Sequence, residues 1–180
     1  MNDSINIAIA GATGYVGIQL LKILLKHPKA KIVYLCAQKS IGKKISSFDK
    51  TIKNKLPKIS NIKKIKWDNI NVIFTALPNG EAQKIAAKLP KNIKLIDLSG
   101  DFRLNNYSQY KKWYGINFLN KSLLSKSVYS ITEFSKKLLK KKSIISCPGC
   151  YPTSVQLPLI PLLENNLVST KNIIIDSKSG

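Results

Sequence analysis

The chain has 180 residues, 44% of them hydrophobic, which is enough to bury a core and argues against an intrinsically disordered protein. Three cysteines argue against a disulfide framework, and no apolar run reaches the length of a transmembrane helix. The net charge of +21 invites a nucleic-acid reading, but Arg103 is the single arginine among 30 basic residues and the lysines are spread along the chain, so the charge reads as a solvated lysine surface. No nucleic-acid or membrane partner is expected.

The N-terminus, MNDSINIAIAGATG, carries an acid and no basic residue ahead of its apolar run. That is a poor secretory signal, so the expected location is the cytoplasm. Residues 4–10 read as a buried strand, residues 15–26 as a helix stopping before His27-Pro28, and residues 31–36 as a second buried strand. Together they predict a β-α-β unit. Residues 41–66 are rich in Lys, Ser and Asn and predict loops and short pieces. A strand over 71–76, a helix over 81–89 and a strand over 93–98 follow, then a short helix over 107–114 and a basic helical turn over 136–142. A strand at 143–146 leads into a cysteine turn and an apolar segment over 153–163, in which Pro158 and Pro161 should kink or interrupt any helix. A last strand is expected over 172–176, and the sequence closes at Ser179-Gly180. Strands alternating with helices predict an α/β fold, a Rossmann-type and mostly parallel sheet. The expected division is a dinucleotide-binding domain over 1–149 and the start of an incomplete α+β substrate domain over 150–180.

Gly11-Ala12-Thr13-Gly14-Tyr15-Val16-Gly17 is a G-x-x-G-x-x-G turn between the first strand and the first helix. Glycine lets backbone N–H groups approach a pyrophosphate, and the helix start adds unpaired donors and a positive dipole end. Gly11, Thr13, Gly14, Tyr15, Val16 and Gly17 are therefore the candidate cofactor-binding residues. The second strand ends in Cys36-Ala37-Gln38-Lys39-Ser40, without the acid that would bind the ribose of NAD. Lys39 and Ser40 instead suit a 2′-phosphate, which points to NADP(H). The plain alternative is that Lys39 is one more surface lysine.

Cys147 and Cys150 enclose Pro148-Gly149. A thioredoxin-like pair belongs near the start of a small fold, not after several strands of a nucleotide-binding sheet. A zinc site lacks its closing pair, since Cys36 and the single histidine, His27, lie far away in sequence, so no metal is expected. The third reading is one nucleophile, Cys150, opening an apolar helical segment where the positive helix end favours thiolate over the free pKa of about 8.5. Cys147, still on the strand, reads as buried and inert, and two small residues at a tight turn remain the structural alternative. Arg103, in Asp101-Phe102-Arg103 after a strand, sits where open α/β sheets bind ligands and is the candidate substrate-binding residue; an ion pair with Asp101 or another local carboxylate is the alternative.

GATGYVG, LSGDFRL at 98–104, KWYG at 112–115, PGCYPT at 148–153 and the closing DSKSG together resemble N-acetyl-γ-glutamyl-phosphate reductase of arginine biosynthesis. The resemblance runs along the whole chain in order. It implies an enzyme performing NADPH-dependent reductive dephosphorylation of N-acetyl-glutamyl 5-phosphate. By that resemblance Cys150 attacks the acyl phosphate, phosphate leaves, and the thioester is reduced to N-acetyl-glutamate 5-semialdehyde. The partners implied are a small acyl-phosphate substrate and phosphate, with a homo-oligomer at full length. Related acyl-phosphate reductases, for aspartyl or carrier-bound aminoadipyl phosphate, and a non-catalytic NADP-binding fragment are the alternatives.

Two departures matter. The family usually has Asn where Cys147 stands, which raises the idea of an oxidative Cys147–Cys150 bridge. Family members are also longer, with their general acid/base histidine beyond the point that matches Gly180. If the chain is complete as written, the expectation is cofactor binding with little reductase activity.

Overall fold

A computed structural model describes residues 4–178. Ser179 and Gly180, the end of the DSKSG stretch, lie outside the described residues. The chain opens with β1 (Ile5–Ala10), α1 (Tyr15–Leu24) and β2 (Ala30–Cys36). Irregular chain with three short 3₁₀ turns then leads to β3 (Val72–Thr75), α2 (Glu81–Ala86) and β4 (Lys94–Asp97). Next come α3 (Tyr107–Tyr114), α4 (Ser122–Lys126), β5 (Ser127–Tyr129), α5 (Thr132–Lys141), β6 (Ile144–Ser146) and α6 (Cys150–Glu164).

The strands form one sheet in the order β2-β1-β3-β4-β6-β5, with every pairing parallel. The α/β reading of the sequence therefore holds. Strand alternation divides the core between the two faces. Ile7 and Ile9 of β1 pack with Leu21 and Leu24 of α1 and with Leu35. Ala8 and Ala10 point the other way, into a cluster with Ile73, Ala82, Leu95, Phe102 and Ile144. The chain leaves β1 toward β2 on one side and β3 on the other, so the order reverses at β1. Ligands bind at the carboxyl ends of strands at such a point. The glycine turn, the β3–α2 loop, the loop after β4 and the cysteine link after β6 all lie at those ends.

Three expectations need correction. Residues 172–176 form no strand: the apolar run Ile173-Ile174-Ile175 pairs with no strand among the described residues, and Ile174 is 92% exposed. An apolar run alone does not supply the partner that a strand requires. Pro158 and Pro161 do not interrupt α6, which is assigned as continuous from Cys150 to Glu164. The helix buries no residue, and Ser154 and Leu157, whose carbonyls lose their bonds to the prolines, are exposed, so those carbonyls are open to water. The turn at 136–142 is the end of a longer helix, α5, kinked at Ser135 (φ −133°, ψ 19°). Its last carbonyls are capped by the Lys94 ammonium, which donates to Leu139 O at 2.7 Å and Lys142 O at 3.2 Å.

Candidate active site

Gly11 closes β1 with φ +87°, and a Cβ there would lie 2.1 Å from the Ala76 carbonyl oxygen. Only glycine fits, because both the backbone angle and the space forbid a side chain. Gly17 is buried, and its Cβ would overlap Gly11 O at 2.2 Å, which lets α1 pack hard against the turn. Gly14 differs. It is the exposed N-cap of α1, with φ −75° and ψ 163°, and its Cβ would meet only Gly11 O at 3.5 Å. The sequence therefore keeps glycine at a position where packing does not demand it. What the missing Cβ leaves is open space over the start of α1, whose first turn has no side-chain cap and no acidic residue. Such a cradle fits a pyrophosphate on backbone N–H groups. Tyr15, 80% exposed, and Val16 stand at its mouth, with Thr13 half-buried inside the turn.

Beside the turn is a cavity of about 340 Å³ lined by Gly11, Gln38, Asn61, Lys63, Trp67 and Lys84, among others. Its place against the ends of β1 and β2 is where a Rossmann-type sheet takes the adenosine half of a dinucleotide. Lys39 is exposed and Ser40 half-buried; they follow Gln38 but do not line this cavity. Lys63 and Asn61 do, and sequence reasoning missed them. They reach the site because residue 60 returns to the end of β2: Ser60 N donates to Leu35 O at 2.8 Å and Ala37 N to Ser60 O at 3.2 Å. No local pattern marks that contact.

On the far side of the sheet center, β6 runs into Cys147-Pro148-Gly149 and then α6. The stretch makes neither a turn nor a bend, and Gly149 is extended (φ −71°, ψ 170°). Pro148 holds Cys147 out of the helical region. The tight cysteine turn expected from the sequence is thus an extended link. A fully extended link of this length can reach about 10 Å, beyond the ~7 Å limit for the Cα atoms of a disulfide, so an extended link disfavours a Cys147–Cys150 bridge. Cys150 is exposed at the first residue of α6, and Thr153 closes the turn by donating from N and Oγ1 to Gly149 O at 3.0 and 2.8 Å. Cys147 is half-buried, its N donating to Asp97 O at 2.8 Å. Burial, reinforced by the nearby Asp97 carboxyl, pushes its thiol up to about 11.

Arg103 holds the link from the side. Its Nε donates to Cys147 O at 3.0 Å and its Nη2 to Leu98 O at 3.2 Å, while Nη1 would stand 3.2 Å from a Cβ on Gly149. Among the described residues Arg103 makes no ion pair with Asp101. Asp101 is fully buried and accepts from Gly80 N, Gln83 N and Tyr110 Oη. Beneath the link, buried Asp97 accepts on Oδ1 from Thr75 Oγ1 at 2.8 Å and Ser99 Oγ at 2.6 Å. Burial raises its pKa above the usual carboxylate range. Among the described residues no group of His, Cys, Asp and Glu is arranged to hold a metal.

A glycine turn at the switch point and a cysteine at a helix start share one strand-end edge, an arrangement that fits a dinucleotide-binding domain. Residues 6–142 match the family described as "Semialdehyde dehydrogenase, NAD binding domain", and residues 150–180 that described as "Semialdehyde dehydrogenase, dimerisation domain". The chain belongs to the semialdehyde dehydrogenase family. It is 44% identical over 182 residues to N-acetyl-gamma-glutamyl-phosphate reductase of Ehrlichia canis, a match covering 100% of this chain and 52% of that protein. The chain spans about half the length of the curated relatives it matches. Among solved structures it resembles aspartate semialdehyde dehydrogenase II of Vibrio cholerae, at TM-score 0.64 and 20% identity over 89% of this chain and 47% of that one. It also resembles aspartate semialdehyde dehydrogenase with NADP from Candida albicans, at TM-score 0.62 and 20% identity, with coverage of 89% and 47%. These likenesses confirm the fold.

Proposed function

We propose that this chain supplies the NADP(H) site and the cysteine nucleophile of an acyl-phosphate reductase acting on N-acetyl-glutamyl 5-phosphate in arginine biosynthesis. The placement of Cys150 carries the reading: it is exposed at the start of α6, on the strand-end edge shared with the glycine cradle, with the Arg103 guanidinium fixed beside Gly149. The two sites are three strand positions apart, roughly 14 Å at the spacing of a sheet.

Gly11, Thr13, Gly14, Tyr15, Val16 and Gly17 would hold the pyrophosphate. Gln38 and Lys63 line the cavity, and Lys39 and Ser40 follow Gln38 in the loop after β2; together they would give the polar and cationic groups that a 2′-phosphate requires. The bound cofactor supplies hydride. The Cys150 thiolate attacks the acyl carbon, phosphate leaves, and a thioester forms, which accepts hydride more readily than a carboxylate does. The backbone N–H of Cys150, at the start of α6, would serve the developing oxyanion. Arg103 uses Nε and Nη2 to hold the protein backbone, and its Nη1 is placed to take an anionic oxygen of the substrate.

The division proposed is a dinucleotide-binding domain over 1–149 and the opening of a catalytic domain from Cys150. α6 buries nothing, and Leu162, Leu167 and Ile175 are exposed, an apolar face suited to a homo-oligomer. No described helix is long and apolar enough to cross a membrane, and the proposed location is the cytoplasm.

The test is phosphate release without cofactor. N-acetyl-glutamyl 5-phosphate should give a burst stoichiometric with the chain, absent in Cys150→Ser. A burst with aspartyl phosphate and none with the N-acetyl-glutamyl compound would transfer the assignment to the related reductase.

A further inference from the structure

Asp101 and Arg103 sit in one turn after β4, and each is bound to a different half of the site. The Arg103 side chain grips the cysteine link through Cys147 O. The Asp101 carboxylate, fully buried, grips the β3–α2 loop instead. Its Oδ1 accepts from Gly80 N at 2.5 Å and its Oδ2 from Gln83 N at 3.1 Å, with Tyr110 Oη donating to Oδ1 at 2.7 Å. Gly80 has φ +90°, so the loop is held in a conformation that other residues rarely adopt. Asn79 of the same loop accepts from Gly100 N at 3.3 Å. At its other end the loop is welded to the glycine turn: Ala76 N donates to Ala10 O at 2.9 Å, and Ala76 O fills the space beside Gly11. A continuous set of contacts therefore runs from Gly11 through Ala76, Gly80 and Asp101 to Arg103 and the Cys150 link.

We propose that Asp101 is a positioning residue that fixes the dinucleotide-binding surface in register with the nucleophile, by anchoring the β3–α2 loop to the turn whose Arg103 holds the cysteine link. The proposal rests on the reading that the glycine turn binds NADPH and that Cys150 is the nucleophile. Asp101 touches neither; it acts through the loop.

Asp101→Asn places an NH₂ group against one of the two backbone N–H donors, which pushes the first turn of α2 away. Tyr110→Phe removes one donor from the same carboxylate without that clash. Two readouts are taken on the full chain: NADPH affinity by fluorescence titration, and the site-resolved rate of iodoacetamide alkylation. Cys36 on β2, only 2% exposed, is the internal control, and it is read without NADPH because it lines the cavity beside the glycine turn. Asp101→Asn is expected to weaken NADPH binding about tenfold and to change the Cys150 rate at least about threefold, with Cys36 still protected. Tyr110→Phe is expected to move both readouts the same way by a smaller factor. If wild type binds NADPH and both variants keep its affinity within about twofold and its Cys150 rate, the positioning role is overturned while the site reading stands. Changes that appear only together with Cys36 alkylation in both variants also overturn it, because Asp101 then serves stability alone. If wild type itself does not bind NADPH, the site reading fails and takes this inference with it.

Discussion

Gly11 and Gly14 stand three residues apart in the same turn, and the structure assigns them different duties. In Gly11→Ala the new Cβ lies 2.1 Å from Ala76 O and 2.8 Å from Ala76 C, both backbone atoms that cannot rotate away, at φ +87°. The left-handed angle costs about 1–2 kcal/mol and the forced shift about 1–3 kcal/mol, so a loss of roughly 2–5 kcal/mol in stability is expected. At a urea slope of about 2 kcal/mol per M, the unfolding midpoint falls by about 1–2.5 M. In Gly14→Ala the backbone angles suit alanine, and the nearest atom is Gly11 O at 3.5 Å. Its stability should fall by no more than about 1 kcal/mol, the modest cost of alanine in place of glycine at an N-cap. Its Cβ enters the open space over the start of α1, so NADPH affinity should fall at least about tenfold, about 1.4 kcal/mol. Urea melts and a fluorescence titration on both variants decide. A Gly14→Ala chain that binds NADPH as wild type does would refute the cradle, whatever Gly11→Ala does to the melt.

The remaining predictions concern charge and thiols. Asp49 is held at a pKa of about 2, first by its bond with Lys22 and then by Thr51. Its folded pKa lies below the unfolded value of about 4, so the stabilisation is present above pH 4 and is lost as pH falls through about 2. Asp49→Asn should flatten that part of the stability–pH curve, and an unchanged slope would remove Asp49 from the account. Cys147, with its thiol at about 11, is almost wholly protonated at pH 7, so iodoacetamide should label exposed Cys150 well before Cys147. Peroxide treatment of the folded chain should leave no Cys147–Cys150 bridge on mapping; a bridge formed at native stability would show that the link leaves its extended form. Lys94→Met removes the cap on α5 and should cost about 1–3 kcal/mol in urea unfolding, without affecting NADPH affinity.

What the sequence made legible was local. β1, the glycine turn and α1 follow each other without a gap, so apolar spacing and glycine spacing place them directly. α4 and β5 were missed because a five-residue helix and a three-residue strand have no room to show a period. The run at 173–175 misled for the opposite reason: it has strand-like residues and no partner among those described. The same limit applies to the site. Cys150 and Arg103 stand out by residue type and by their place after strands. Lys63 and Asn61 reach the cavity only through the pairing of residue 60 with the end of β2. Asp101 looked like a partner for Arg103, yet its donors come from residues 80, 83 and 110, whose approach depends on the whole sheet.

The nucleophilic role of Cys150 is the claim on which the functional account turns. The chain is incubated with N-acetyl-glutamyl 5-phosphate without cofactor, quenched in acid, digested and mapped by mass spectrometry. An N-acetyl-glutamyl thioester on the Cys150 peptide, released by hydroxylamine and absent from Cys150→Ser, is the predicted result. An unmodified Cys150 peptide, or an adduct that persists in Cys150→Ser, would contradict the account.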